Sequence, residues 1–249
     1  MVNERLRAAI YSAGLSIDEV AEALGKDRKT VERWINGHLP YRRNQHAMAN
    51  LLGADPGYLW PPGTAEQSAN LGMAEVLAIW PVRSVVPTRV WVEVFEAAAR
   101  RIDVLVYAGF WLSEDPAIRK TLLRKARAGV RVRFLLGDPD SAAVALRGRE
   151  EGIGEAISAK IRNTVHNYRA LIEAPNTEFR IHDTTLYNSI YRADDEMLVN
   201  NHIYGLPGHM TPLIRLRRVP GAELFAAHLE GFDRVWETAA RLENRQVVA

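Results

Sequence analysis

The sequence predicts an α+α/β chain: an all-α bundle at the N-terminus, followed by an α/β domain with a mixed sheet. Residues 60–68 contain two prolines and a glycine followed by small polar residues, a composition typical of a linker. Every segment before this break has helical periodicity, and the segments after it alternate between strand and helix patterns. We therefore expect domains at 1–61 and 72–249, joined by a linker at 62–71.

Composition limits the classes of function. Of the 249 residues, 47% are hydrophobic and 25% are charged, as in globular proteins. The formal net charge is only +2, so a surface that binds nucleic acid must be local. The absence of cysteine excludes disulfides, thiol nucleophiles and cysteine zinc sites. No segment has the apolar length of a signal peptide or a membrane span, and we expect a cytoplasmic protein without a membrane partner.

Residues 15–37 have the spacing of two short helices joined by a tight turn. Ser16 begins the first helix with a predicted capping box, and Gly25 supplies the turn. Asp27 caps the second helix, which is predicted at Arg28–Asn36. The apolar side chains that can share one core in this unit are Leu15, Val20, Leu24, Val31 and Trp34.

This arrangement resembles the helix-turn-helix of the Cro and phage-repressor (XRE) family of transcription factors. The resemblance covers about residues 4–60. Its pattern is a polar cap, a small residue in the first helix, a glycine turn, a capped second helix, a β-branched residue and a later tryptophan. These positions are filled by Ser16, Ala21, Gly25, Asp27, Val31 and Trp34. The resemblance implies that the second helix enters the major groove of DNA.

Positive charge is concentrated in residues 26–46, which have six basic and two acidic side chains. Such a local excess is typical of phosphate contacts on double-stranded DNA. From the docking geometry of the family, the side chains expected to face base edges are Arg28, Lys29, Thr30, Glu32 and Arg33. Those expected to hold phosphates are Arg42, Arg43, Asn44 and His46. Because Glu32 stands where the family often has Ser or Thr, the base preference cannot be transferred.

Strand and helix patterns alternate in the second part of the chain. The strands are predicted at Glu75–Trp80, Ile102–Ala108, Val130–Leu136, Glu178–His182, Asn188–Tyr191, Met197–Tyr204 and Pro212–Arg218. The helices are predicted at Thr88–Arg101, Asp115–Ala128, Ser141–Leu171 with a break near Gly152–Gly154, and Ala222–Leu242.

The segment Leu186–Gly205 resembles the active-site hairpin of the phospholipase D superfamily, within a wider resemblance over residues 72–240. The superfamily signature is His-x-Lys-x4-Asp followed by Gly-Ser-x-Asn, with the His as nucleophile and the Lys as phosphate ligand. Here Tyr187 stands for the His, Ser189 stands for the Lys, and Asp194 matches the Asp. The later part of the signature is filled by Asn201, His202 and Tyr204.

These substitutions remove the chemistry that the resemblance implies. A tyrosine with its usual pKa near 10 is a poor nucleophile at neutral pH, and a serine supplies no charge for a phosphate. We therefore expect no enzyme activity by the family mechanism, with no catalytic residue, no metal and no cofactor. Superfamily members with one signature per chain pair two chains face to face, which implies a homodimer through residues 72–249.

The polar side chains of the hairpin form a candidate pocket for a small-molecule effector, because residues at period two face one side of a strand. This set is Tyr187, Ser189, Asn200, Asn201, His202 and Tyr204. Further polar side chains at neighbouring strand ends are Asp138, Asp140, Arg180 and His182. Since alternate residues point to opposite faces, surface or sheet core explains part of the set equally well.

The sequence favours a sequence-specific transcriptional regulator that binds a two-fold operator as a homodimer and has a catalytically inactive phospholipase D-like domain. One alternative is a DNA-targeted nuclease or phosphodiesterase with a non-standard nucleophile such as His182 or His202. Another is a module that docks a protein through its helices, with the charges of Arg28–Asn36 as solvated surface.

Overall fold

The computed structural model describes residues 2–61 and 71–242. Residues 62–70, most of the predicted linker, lie outside the described residues. The described chain forms two compact units: the first from Met1–Glu75 and Arg218–Ala226, the second from Val76–Arg217 and Ala227–Ala249. Within the described ranges, no helix combines the length and the apolar character that a membrane span needs.

Helices make up the N-terminal part of the first unit. They are α1 (Glu4–Ser12), α2 (Ile17–Ala23), α3 (Arg28–Ile35), α4 (Arg42–Leu52) and α5 (Pro56–Leu59). The capping box between Ser16 and Glu19 is present at α2, and Asp27 accepts the Thr30 N–H at the start of α3. The turn between α2 and α3 contains Gly25 at φ +60°, a backbone conformation that suits glycine.

One apolar core holds these helices together. Its fully buried side chains include Leu6, Val20, Val31, Met48 and Leu59. Trp34 is also buried, and Leu15 and Leu24 pack against the core while partly exposed. The predicted helix-turn-helix is therefore confirmed, including the five apolar residues expected to share its core.

An eight-stranded mixed sheet organises the second unit. The strands are β1 (Val76–Trp80), β2 (Arg101–Leu105), β3 (Arg131–Gly137), β4 (Thr177–His182), β5 (Asn188–Ala193), β6 (Glu196–Asn201), β7 (Leu213–Arg217) and β8 (Ala240–Arg241). Their order across the sheet is β1-β7-β6-β5-β2-β3-β4-β8. Strands β2, β3 and β4 run parallel, and the other neighbouring pairs are antiparallel. The predicted mixed sheet is confirmed.

Helices pack on both faces of this sheet. They are α6 (Thr88–Ala97), α7 (Phe110–Glu114), α8 (Pro116–Arg127), α9 (Ala142–Glu150), α10 (Ala156–Asn167), α11 (Arg169–Ile172) and α12 (Leu224–Thr238). Trp91 of α6 packs against Tyr191 of β5, with ring centroids 4.9 Å apart. Phe232 of α12 lies 4.6 Å from the guanidinium carbon of Arg133 on β3. Because Tyr191 and Arg133 pair with consecutive residues of β2, α6 and α12 cover opposite faces.

Several predicted boundaries are wrong, including the end of the strand predicted at Ile102–Ala108, which stops at Leu105. The helix predicted at Thr88–Arg101 ends at Ala97, because Asp194 accepts the N–H groups of residues 99–101 and directs the chain into β2. The helix predicted to reach Leu242 ends at Thr238, and β8 then pairs with β4 at the sheet edge. The second hairpin strand was predicted to reach Tyr204 but ends at Asn201, where the ladder with β5 stops.

Candidate DNA-binding face and ligand cavity

Helix α3 exposes the side chains that were predicted to meet base edges. Arg28, Lys29 and Arg33 are exposed, whereas Thr30 and Glu32 are half-buried. The opposite side of the helix places Val31, Trp34 and Ile35 in the core. This division follows the 3.6-residue period, and it leaves the basic side chains of α3 on the surface of the unit.

Two carboxylates position Arg28. Its Nε donates to Glu32 Oε1 over 2.8 Å, and its Nη1 donates to Asp18 Oδ2 over 2.7 Å. The hydrogen bond with Glu32 and the charge of Asp18 raise the pKa of the Arg28 guanidinium. Lys29 and Arg33 make no ion pair with any described residue.

The Thr30 hydroxyl is engaged at the start of α3. It donates to Asp27 Oδ2 over 2.7 Å, while the Thr30 N–H donates to Asp27 Oδ1 over 2.8 Å. These two hydrogen bonds lower the pKa of the Asp27 carboxyl, the side-chain bond having the larger effect. Thr30 therefore stabilises the cap, and its contact with a base stays a prediction.

The side chains predicted to hold phosphates lie in the first turns of α4. Those exposed are Arg42, Arg43 and His46, and Asn44 is half-buried. Tyr41 at the N-cap position makes no side-chain cap, and the first turn has no acidic residue. The positive end of the helix dipole repels the two arginines there, and a bound anion would offset this repulsion. Arg42 pairs with Glu223 over 3.1 Å, and both side chains are exposed.

A cavity of about 530 Å³ lies beside the β5–β6 hairpin in the second unit. Three members of the predicted pocket line it: Ser189, Asn200 and His202. Ser189 and Asn200 are cross-strand partners, so they share one face. Asn201 is one position further along β6 and does not line the cavity. Tyr187 and Tyr204 also lie outside it, with exposed fractions of 80% and 83%.

A chain of hydrogen bonds follows the cavity wall. His202 Nδ1 is 3.1 Å from the Leu186 carbonyl oxygen, and its Nε2 is 3.0 Å from Ser189 Oγ. Because a carbonyl oxygen only accepts, Nδ1 has the proton and Nε2 accepts from the Ser189 hydroxyl. Burial, together with the charge of Arg147, lowers the pKa of His202 to about 4, so its imidazole is neutral at pH 7.

The remaining wall of the cavity was missed by the sequence analysis. It includes Arg83, Tyr107, Trp111, Lys160 and His209. The Tyr107 ring stacks on His202 with centroids 5.7 Å apart. Arg83 lies in a single 3₁₀ turn, and Trp111 lies in the short helix α7. Neither segment has a periodic signal that could have located these side chains.

The other predicted polar residues do not line this cavity: Asp138, Asp140, Arg180 and His182. Asp140 pairs with Arg162 over 2.7 Å, and Arg180 pairs with Glu178 over 2.7 Å. His182 Nε2 is 3.1 Å from the Val106 carbonyl oxygen. Among residues 2–61 and 71–242, no three His, Asp or Glu side chains are grouped as metal ligands.

Asp194 matches the phospholipase D signature and has a structural position. Its carboxylate accepts the N–H groups of Ala99, Arg100 and Arg101 over 2.7, 3.1 and 2.8 Å. Burial opposes ionisation, but these hydrogen bonds lower the pKa of the carboxyl. Asp194 therefore joins the hairpin turn to the start of β2.

Two protein-family models match the chain. Residues 3–39 match a homeodomain-like domain, which agrees with the helix-turn-helix seen here. Residues 72–242 match a domain of unknown function, DUF5919. Among curated proteins, none matches the chain.

Several solved structures are similar at low identity. TrmBL2, an archaeal chromatin protein with a novel mode of DNA binding, is 15% identical with a TM-score of 0.42; the match covers 86% of this chain but 66% of TrmBL2. Nuc from Salmonella typhimurium, a phospholipase D family member, is 16% identical with a TM-score of 0.37, over 63% of this chain and 91% of Nuc. NucT from Helicobacter pylori is 9% identical with a TM-score of 0.41, over 66% and 98%.

The family assignment depends on the second match to a family model. It spans the whole eight-stranded sheet and the cavity beside the hairpin, and it covers more than half of the sequence. The chain therefore belongs to the DUF5919 family, and its N-terminal residues 3–39 match a homeodomain-like domain.

Proposed function

We propose that this protein is a sequence-specific transcriptional regulator of the XRE type that binds DNA as a homodimer. The exposed basic face of α3 is the observation on which the proposal depends. In helix-turn-helix proteins the second helix enters the major groove, where Arg and Lys donate to guanine O6 and N7. Lys29 and Arg33 have no carboxylate partner among the described residues, and Arg28 is positioned by two.

Helix α4 supports this proposal from a second position. Arg42 and Arg43 stand at a helix start that no side chain caps. Backbone N–H groups and guanidinium groups at such a start favour an anion, and a DNA phosphate is the anion expected beside a recognition helix. The Arg42–Glu223 pair is exposed, so a phosphate can replace Glu223 at little cost.

The second unit is proposed to be a catalytically inactive domain that serves dimerisation and effector binding. Tyr187, at the position of the nucleophile, is 80% exposed and lies outside the cavity. Ser189, at the position of the phosphate-binding lysine, is neutral and hydrogen-bonded to His202. Phosphoryl transfer needs a nucleophile and a cation at one place, and these two positions supply neither.

Selection of bound DNA from a random pool, followed by a salt titration of the selected site, tests the regulator. We expect a two-fold consensus and a steep loss of affinity with salt. Arg33→Ala should reduce the binding free energy at the selected site by about 1–3 kcal/mol. Arg43→Ala should reduce the slope of log K against log salt concentration by about 1, because one phosphate contact is lost. Arg7→Ala, an exposed arginine of α1, is the matched control and should leave binding unchanged.

Two results would contradict the proposal. Unchanged DNA affinity in both Arg28→Ala and Arg33→Ala would exclude α3 as the recognition helix and favour the protein-docking alternative. Sedimentation of the full chain as a monomer at the concentrations used for binding would exclude the homodimer and the two-fold operator that follows from it.

An enzyme is the second candidate because of the Ser189–His202 contact. The neutral imidazole accepts from the serine hydroxyl beside an accessible cavity, which is how a base activates a nucleophile. Its pKa of about 4 makes it a weak base at neutral pH, which is why we rank this candidate second. Turnover of plasmid DNA or a chromogenic phosphodiester that His202→Ala abolishes would establish a nuclease or phosphodiesterase.

A further inference from the structure

The cavity beside the β5–β6 hairpin is large enough for a single-ring organic molecule. Its volume of about 530 Å³ falls within the range of small-molecule sites in proteins. Val106, Ile153 and Ile157 supply aliphatic wall, and Trp111 supplies an aromatic surface. An apolar body can therefore be buried there.

Arg83 is the half-buried cation of the cavity wall, and it has no carboxylate partner among the described residues. Arg83 Nε donates to the Gly208 carbonyl oxygen over 3.3 Å, and the guanidinium carbon lies 4.3 Å from the centroid of the Trp111 ring. Among residues 2–61 and 71–242, no carboxylate lies within ion-pair distance of this guanidinium. Arg83 is half-buried, and this burial lowers the pKa of its guanidinium.

The acidic residues of the cavity wall compensate for Arg83 only in part, because burial lowers its pKa and outweighs the charge of Glu151, which raises it. Glu151 pairs with Arg147 over 2.7 Å, so its charge is already balanced. Glu114 is exposed, so solvent screens its charge. A desolvated cation without a counter-ion is costly, and an anion that enters the cavity removes that cost.

The neighbouring polar side chains are neutral and already oriented. Ser189 donates to His202, and burial raises the pKa of Tyr191, so its hydroxyl stays protonated and neutral. These neutral groups can shape the cavity and hydrogen-bond a ligand, but they supply no charge. Lys160 also lines the cavity but is exposed to solvent, whereas Arg83 is half-buried, so the selectivity of the cavity for charge depends mainly on Arg83. Its planar guanidinium presents a pair of donors suited to an oxyanion.

We propose that this cavity binds a small organic oxyanion, a carboxylate or a phosphate ester on a single-ring body, with Arg83 as its charge partner. The ring packs between Trp111 and the aliphatic wall, and the anionic group contacts Arg83. Binding itself does not depend on DNA recognition. Only the role of this ligand as the effector of a regulator rests on the proposed function.

Titration calorimetry on the full chain without DNA tests the proposal with benzoate, phenyl phosphate, inorganic phosphate and neutral benzyl alcohol. We expect benzoate or phenyl phosphate to bind at least about tenfold more tightly than benzyl alcohol, and the tighter of the two identifies the anionic group. Inorganic phosphate should bind more weakly than phenyl phosphate, since it has no apolar body to bury.

Variants assign the charge contact. Arg83→Gln should weaken binding of the anion by about tenfold or more, and Arg83→Lys should retain part of it. Arg127→Gln, which removes an exposed arginine of α8, is the matched control and should bind as the wild type does. Circular dichroism of each variant verifies its fold.

Three results would overturn the proposal: no binding of either aromatic anion at about 10 mM, equal affinity for benzyl alcohol, or an unchanged affinity in folded Arg83→Gln. DNA affinity of the wild type is measured separately without ligand. A protein that binds the anion but not DNA would support the cavity site and contradict the proposed regulator. A protein that binds DNA but not the anion would support the regulator and contradict the cavity site.

Discussion

A buried ion cluster in the sheet allows a quantitative test of how the central strands are held together. Asp103 on β2 is fully buried and accepts from Arg133 Nε over 2.6 Å and from Arg192 Nη1 over 2.9 Å. The two arginine side chains are only 8% and 7% exposed. Burial alone would lower the pKa of Arg133, but the hydrogen bond and charge of Asp103 outweigh it and raise this pKa.

The substitution Asp103→Asn leaves two buried guanidinium groups facing a neutral amide. Removing one partner of a buried ion pair typically costs about 3–5 kcal/mol, because the remaining charge is uncompensated. For a unit of this size each kcal/mol lowers Tm by about 2–4 °C, so we expect a fall of about 6–20 °C. Asp233 reaches Arg133 over 3.2 Å and is half-exposed, so it compensates only in part.

Urea unfolding followed by circular dichroism, together with calorimetric Tm, measures this loss. The matched control is Glu230→Gln, which breaks the exposed Glu230–Arg234 pair on α12 and should cost about 0.3–0.5 kcal/mol. A loss for Asp103→Asn no larger than that of Glu230→Gln would refute the argument. It would mean that the two guanidinium groups reach water or other acceptors once Asp103 is neutral.

Three further predictions concern the same unit. Gly148→Ala should destabilise by about 1–3 kcal/mol in urea unfolding, since an added methyl would overlap the carbonyl oxygen of Gly154. The pKa of His202 is lowered from 6.5 to about 4 in the folded protein, so the stability that its neutral imidazole contributes is present above pH 6.5 and is lost as pH falls towards 4. In His202→Gln, Tm should therefore fall less between pH 6.5 and pH 4 than it does in the wild type. Asp194→Asn should cost about 1–3 kcal/mol at pH 7, and this cost should shrink as pH falls below the ordinary Asp pKa of 3.8 towards the lowered pKa of the folded carboxyl, because the ionised carboxylate is the better acceptor for three N–H groups. An equal loss at both pH values would contradict this account of Asp194.

The helix-turn-helix could be predicted from sequence because its signals are local. A hydroxyl cap with a glutamate three residues on, a glycine turn and a second cap each act within one helical turn. The exposed basic face of α3 follows from the same period. Pairing of Arg28 with Asp18 was not predicted, because it joins two helices whose relative angle the sequence does not encode locally.

The alternation of side chains along a strand correctly predicted which hairpin residues line the cavity only where β5 and β6 are paired. Ser189 and Asn200 pair across β5 and β6, so their shared face follows from spacing. Tyr187 precedes β5 and Tyr204 follows β6, where the period no longer holds, and both are exposed. Arg83 reaches the cavity because its turn is bonded to Thr211, 128 residues along the chain, through a backbone hydrogen bond of 2.9 Å. No short-range pattern encodes such a contact.

In this hairpin the structural Asp of the phospholipase D signature is present, whereas its His and Lys positions are occupied by other residues. Asp194, which matches the signature, bonds backbone N–H groups at the start of β2 and so serves the fold. Tyr187 and Ser189 stand where the nucleophile and the phosphate ligand would be; the first faces solvent, and the second is bonded to His202. The charge that an anion would meet comes instead from Arg83, outside the hairpin. If the cavity binds an anion, Arg83 and not a signature position provides the charge, and the effector role that we propose requires that Ser189, although bonded to His202, does not attack that anion.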